Sequence, residues 1–96
     1  MKVEYSNRAV VDLRKIASDS RAFGNAVVRA VEARIHEAVA YVAEHPEAAP
    51  PVLDRPGMRV MPLIRYPYKI FYRVLQDRIR ILHIRHSSRQ PWTAER

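Results

Sequence analysis

The residues most able to do chemistry stand in the second half of the chain, where Arg59, Arg65, Lys69, Arg73, Arg80, Arg85, His86 and Arg89 alternate with Tyr66, Tyr68, Phe71, Tyr72 and Trp92. Cationic groups hold phosphates or carboxylates, and aromatic faces stack on unpaired bases; single-stranded RNA binding uses both. Structural roles compete for the same residues. Tyr72 falls on the core side of an expected strand, and Trp92 can close a sheet edge. Nucleic acid and an acidic protein segment therefore both stay open as partners.

Other chemistries are set aside by what is missing. The chain has no cysteine, which removes thiolate metal sites, disulfides and cysteine nucleophiles. His36, His45, His83 and His86 are not accompanied by closely spaced carboxylates, so no metal site is expected. With 2 glycines there is no phosphate-binding loop, and no cofactor or small-molecule substrate is implied. Ser87 and Ser88 follow His86 without the glycine-flanked turn of a serine hydrolase. His83 reads as a core-edge histidine bonded to backbone. His86, near a strand end, suits either phosphate contact or anchoring of the C-terminal turn.

These side chains need a frame to position them. Ninety-six residues allow one core, so residues 1–96 form a single domain. The 48% hydrophobic content suits packing rather than disorder. Net charge is +7, and its distribution is uneven: residues 1–50 hold seven Lys/Arg and seven Asp/Glu, whereas residues 51–96 hold ten and three. A one-sided excess of this kind steers anionic partners. Glu4 interrupts any signal-peptide pattern at the N-terminus. No apolar run approaches the roughly 20 residues of a membrane helix. A cytoplasmic location without membrane attachment follows as the expectation.

Val3 and Tyr5 alternate with Lys2 and Glu4, predicting a short first strand. Ser6 caps a helix whose apolar positions are Ala9, Val10, Leu13, Ile16 and Ala17. Asp19, Ser20 and Gly24 interrupt it, and Asp19 or Ser20 is expected to cap the next helix. In that helix Val27, Val31, Ile35, Ala38 and Val42 form a stripe, widened by Val28 and Val39, until His45 and Pro46 stop it. The short connection predicts an antiparallel helical hairpin. Residues 46–56 carry four prolines and read as a connector within the domain. Three strands follow, over 58–64, 68–75 and 79–86, as an antiparallel meander with a tight turn at Gln76 and Asp77.

Pairing Leu75 with Arg78 across that turn sets the faces. Ile70, Tyr72, Val74, Ile79, Ile81 and His83 then look toward the helices. Lys69, Phe71, Arg73, Arg80, Leu82, Ile84 and His86 look away. Arg73 and Arg80 become cross-strand neighbours, a like-charge arrangement that costs a few tenths of a kcal/mol to about 1 kcal/mol and that an anion relieves.

The order of strand, helical hairpin, proline connector and basic meander resembles the RelE/ParE superfamily of small bacterial toxins over essentially the whole chain. The matching residues are Tyr5 with Ala9, Asp12, Leu13 and Ile16; Gly57-Met58-Arg59; the run Tyr66 to Val74; and Ile81 to His86 followed by Ser88-Arg89-Gln90-Pro91-Trp92. The resemblance implies an α+β fold of order β-α-α-β-β-β, with a short N-terminal strand and an antiparallel helical hairpin packed on a C-terminal antiparallel meander.

It also implies one half of a type II toxin-antitoxin pair, with two activities open. RelE-type members cut mRNA on the ribosome, attacking a phosphate with the adjacent 2′-hydroxyl while the protein supplies acid, base and positive charge. ParE-type members poison DNA gyrase. Where the RelE pattern has lysines or an acidic residue in the connector, this chain has Glu47, Asp54 and Arg55; where it has a late tyrosine, this chain has Trp92, which cannot exchange a proton as a phenol does. His86 is the candidate acid or base if the chain is a nuclease. The Tyr-Pro-Tyr hairpin and the ending through Pro91-Trp92 look closer to ParE. The expectation is a non-enzymatic gyrase poison, the alternative being a ribosome-dependent mRNA endonuclease. Its expected target-binding residues are Arg59, Lys69, Arg73, Arg80, Arg85, His86, Arg89 and Trp92. A cognate antitoxin is expected to neutralise it through an acidic or partly disordered segment.

Overall fold

The computed structural model describes residues 1–87. Its elements are β1 (Lys2–Tyr5), α1 (Asn7–Ser20), a 3₁₀ turn (Arg21–Phe23), α2 (Asn25–Glu44), β2 (Met58–Pro62), β3 (Tyr68–Val74) and β4 (Arg78–His86). The expected β-α-α-β-β-β order is present in one sheet. Ser6 caps α1, its Oγ accepting from the Ala9 N–H at 3.0 Å. The start of α2 differs from expectation: Gly24, at φ 102°, is its cap and provides no side-chain bond. Ser20 instead donates its hydroxyl back to the Ile16 carbonyl at 2.7 Å, so it closes the first helix rather than opening the second.

The sheet order is β1-β4-β3-β2. The antiparallel meander is as expected, and β1 adds to it in parallel with β4, Val3 opposite Ile79 and Tyr5 opposite Ile81. Thus β4 lies inside the sheet, between the first strand and the hairpin. Ala9 and Ile16 of α1, Val31, Ile35, Val39 and Val42 of α2, and Ile70, Tyr72, Ile79, Ile81 and Ile84 of the sheet form one buried cluster. Ile70, Ile79 and Ile81 are fully buried, each contributing roughly 1.5–3 kcal/mol relative to exposure.

The register begins as the turn chemistry requires, with the Leu75 N–H donating to the Arg78 carbonyl at 2.8 Å. Val74, Arg73 and Tyr72 then face Ile79, Arg80 and Ile81. A bulge follows: Phe71 pairs with His83, leaving Leu82 without a partner across the ladder. One extra residue reverses the parity of the rest of β4. Ile84 consequently turns to the core, and His86 to the helix side, opposite Tyr68. His83 and Arg85 turn to the other face. The expected placement of these residues is corrected on this point, because alternation holds only while the two strands advance together.

The proline connector is ordered against the outer edge of β2. Val52 N–H donates to the Met58 carbonyl at 2.8 Å and Val60 N–H to the Pro50 carbonyl at 3.1 Å, so the connector covers part of an edge that would otherwise be open to pairing. Beneath it, the buried Tyr72 hydroxyl donates to the Pro46 carbonyl at 2.8 Å.

Candidate functional site

The helices pack on one face of the sheet, and the register assigns the other. Moving across that open face, Lys2 pairs with Arg78 and Glu4 with Arg80. Arg80 pairs with Arg73, His83 with Phe71, and Arg85 with Lys69. Strand alternation therefore gathers Lys2, Lys69, Arg73, Arg78, Arg80 and Arg85 on one surface with Glu4 as the acid among these ladder partners.

Two of these cations are partly committed. Arg78 lies 3.0 Å from Asp77 and 3.4 Å from Glu4, exposed contacts of little energetic weight. Arg73 donates through Nη1 to the Pro56 carbonyl at 2.8 Å. Next to it Gly57 has φ +81°, and a Cβ there would come within 2.7 Å of that same nitrogen, so the close approach of arginine to turn requires glycine. Arg80 is exposed, with Glu4 4.0 Å away.

Arg59 is not on this surface. It faces Tyr72 in the register, on the helix side, and its Nη1 donates to the carbonyls of Ala49 at 2.7 Å and Glu47 at 3.3 Å. Its role is to hold the connector. Burial pushes the neighbouring Tyr72 phenol above its usual value, and the Arg59 charge works in the opposite direction. His86 is also on the helix side, its ring meeting Tyr68 edge-on at 5.5 Å. Arg89 and Trp92 lie outside the described residues. Of the eight expected target residues, the open face thus brings together Lys69, Arg73, Arg80 and Arg85.

A second polar grouping lies where β1 stops. Beyond Ile81 no strand among the described residues lies beside the outer edge of β4, and side chains from the start of α1 take over. Ser6 N–H donates to the Ile81 carbonyl at 2.9 Å, and Ser6 Oγ donates to the Leu82 carbonyl at 2.9 Å. Asp12 Oδ2 accepts from the Ile84 N–H at 2.9 Å and meets His83 Nδ1 at 2.6 Å. Arg8 Nη2 stands 3.5 Å from His83 Nε2. This pattern fits a neutral imidazole that donates to the carboxylate from Nδ1 and accepts from Arg8 at Nε2. Burial pushes the imidazole below its ordinary value of 6.5; Asp12 opposes that shift, and the charges of Arg8 and Arg85 reinforce it. His83 is buried as expected, and its ring meets a carboxylate and a guanidinium from α1. A cleft of about 300 Å³ borders the group, lined among others by Lys15, Asp19, Tyr68 and His86.

Sequence reasoning missed Lys2, Arg78 and the Asp12–His83 bond. A four-residue strand does not name its partner, and a lone acid among polar helix positions reads as solvated. No group of three or more His, Asp or Glu able to hold a metal occurs among the described residues, and none of their helices is long and apolar enough to cross a membrane.

Comparison with known proteins adds to this geometry. The family model described as the ParE toxin of the type II toxin-antitoxin system, parDE, matches residues 3–91. A chain of the chromosomal ParDE TA system from P. aeruginosa superposes with TM-score 0.76 at 27% identity, covering 90% of this chain and 95% of that one. The isolated E. coli RelE toxin superposes with TM-score 0.62 at 18% identity, covering 93% of this chain and 86% of that one. A chain of the intact E. coli RelBE toxin-antitoxin complex gives TM-score 0.62 at 18% identity, with 92% and 98% covered. At that identity the RelE likeness concerns the fold. No curated protein sequence matches at a significant level.

Proposed function

The chain belongs to the ParE toxin family of type II toxin-antitoxin systems, and from that premise we propose that it arrests growth in the cytoplasm by poisoning DNA gyrase. The observation that carries the choice between the two activities of the superfamily is the distance of His86 from the Arg73–Arg80 pair. A transesterifying nuclease needs an acid or base within about 3 Å of the proton it moves, beside the groups that stabilise the phosphorane. Here the Leu82 bulge sets His86 opposite Tyr68, in a cleft that Arg85 also lines, while Arg73 and Arg80 face each other farther along the strands. The Arg73–Arg80 pair lies five rungs along the ladder from Tyr68–His86, about 16 Å at the usual strand rise. That arrangement supports binding rather than catalysis.

Lys69, Arg73, Arg80 and Arg85 are the binding surface in this reading, with Arg89 and Trp92 as further contributors. A cognate antitoxin neutralises the toxin, and the excess of positive charge suits an acidic, partly disordered segment. The test is a supercoiling assay with purified gyrase and purified toxin. Inhibition, with trapped cleaved DNA, is the expected result, and Arg80→Glu weakens it without unfolding the protein. Gyrase left unaffected over a wide toxin range, or mRNA cut in programmed ribosomes, overturns the proposal.

A further inference from the structure

The open face carries its charge in two rows with no free aromatic surface between them. Lys69 stands opposite Arg85, and four residues farther along β3 Arg73 stands opposite Arg80, about 13 Å away at the usual strand rise. Among the described residues neither Lys69 nor Arg85 enters an ion pair. Arg80 is exposed, with Glu4 4.0 Å away. Arg73 gives Nη1 to the Pro56 carbonyl, which leaves other N–H groups of its guanidinium for a ligand. Between the rows lies Phe71, its ring stacked by His83 at 6.1 Å and its other neighbour across the ladder being Val60. The middle rung is therefore filled by the protein itself and offers a ligand no ring to stack on.

We propose that this face binds the phosphate backbone of duplex DNA, its two cationic rungs resting on the two phosphate rows that border a minor groove. The proposal deepens the binding surface named above and rests on its residues, though not on gyrase as the target. Like-charge pairs across a ladder are unfavourable without an anion, and the face has two of them. The minor groove is about 6 Å wide between phosphate surfaces, so the phosphorus atoms that flank it are about 12 Å apart, close to the separation of the rungs. Single-stranded sites draw on base stacking as well as charge, and stacking has no platform here. A duplex needs none, because its bases are already stacked, and it carries one charge per about 1.7 Å of axis against about 3.4 Å for one strand. An extended acidic peptide reaches both rungs with carboxylates four residues apart, one to a rung, and leaves the like charges of each rung facing each other. Neighbouring phosphates of one DNA strand meet both cations of a rung.

The test is fluorescence anisotropy of the full chain with a labelled duplex of about 20 base pairs, two helical turns, and with either of its strands alone. Four phosphate contacts predict that log affinity falls against log salt with a slope of about −3.5. Arg80→Glu removes one contact, flattening the slope by about 0.9 and lowering affinity on the order of tenfold at about 50 mM salt. Arg29→Glu, an equal change of charge at an exposed residue of α2, moves affinity by about twofold or less. Urea melts confirm that both variants are folded. Tighter binding of the duplex than of either strand, with these responses, supports the proposal. Equal or tighter binding of a single strand overturns it, as do failure of the duplex to bind and an equal loss from the two substitutions. Displacement of the duplex by a poly-glutamate peptide at an equal concentration of charge assigns the face to an acidic protein and overturns it as well. Because no gyrase is present, duplex binding beside unaffected gyrase would refute only the target reading, and gyrase inhibition without duplex binding would refute only this one.

Discussion

Replacing Asp12 by alanine removes the acceptor that two buried donors share. The Ile84 N–H lies 2.9 Å and His83 Nδ1 2.6 Å from Asp12 Oδ2. The side chains of His83 and Asp12 are 6% and 16% exposed, so water does not readily replace the lost oxygen. Each buried donor left without an acceptor costs about 1–3 kcal/mol, and the pair together about 3 kcal/mol after partial relaxation. A domain of this size has about 5–15 kcal/mol in total, so a substantial share of its stability is at stake, equivalent to a melting point lower by roughly 15 °C. Urea unfolding followed by circular dichroism measures this as a lower midpoint at unchanged slope. Asp12→Asn, which keeps one acceptor oxygen, is expected to lose about half as much. A loss below about 0.5 kcal/mol for the alanine variant, typical of a surface substitution, would refute the idea that α1 finishes the edge of β4. The same site makes a pH prediction. The folded imidazole titrates below its ordinary 6.5, so between those two values the unfolded chain binds more protons. The contribution is complete above about 6.5 and is lost as pH falls toward the folded value. In the difference between wild type and His83→Gln, stability should decline over that acidic window; a flat difference would show that His83 is not held neutral.

Three further substitutions test the frame. Ser6→Ala loses both the cap on Ala9 N–H and the bond to the Leu82 carbonyl, an expected cost of about 2 kcal/mol in urea unfolding. Gly57→Ala forces a Cβ onto Arg73 at φ +81° and should cost about 1 kcal/mol or more, with a matching loss of gyrase inhibition if Arg73 binds the target. Tyr72→Phe leaves the Pro46 carbonyl without its donor, and thermal melting should show a loss of about 1 kcal/mol.

Much of this frame was readable from residue spacing. The valine and isoleucine stripe of α2, the Ser6 cap and the stop at His45-Pro46 are local rules, each set by a few neighbours. The Leu75–Arg78 pairing came from turn length, and with it the opposition of Arg73 and Arg80. The bulge did not, since Leu82 is an ordinary strand residue and only the mismatch between two strands creates it. That one residue decides whether Ile84 or Arg85 meets the core. Arg59 illustrates a different limit: it stands in a basic strand like Lys69, and only the folded connector, with carbonyls of Glu47 and Ala49 in reach, reveals its structural task. Asp12 needed the end of β1 to become meaningful.

The strand that joins β1 to the β2–β3 hairpin is the last of the four to leave the ribosome. Until Arg78–His86 has been made, Val3 and Tyr5 have no ladder, the hairpin has one free side, and the apolar stripe of α2 has nothing complete to lie on. A nascent chain therefore cannot assemble its open cationic face early. Whatever that face binds, it can bind only once the fourth strand is in place, a dependence written into the strand order itself.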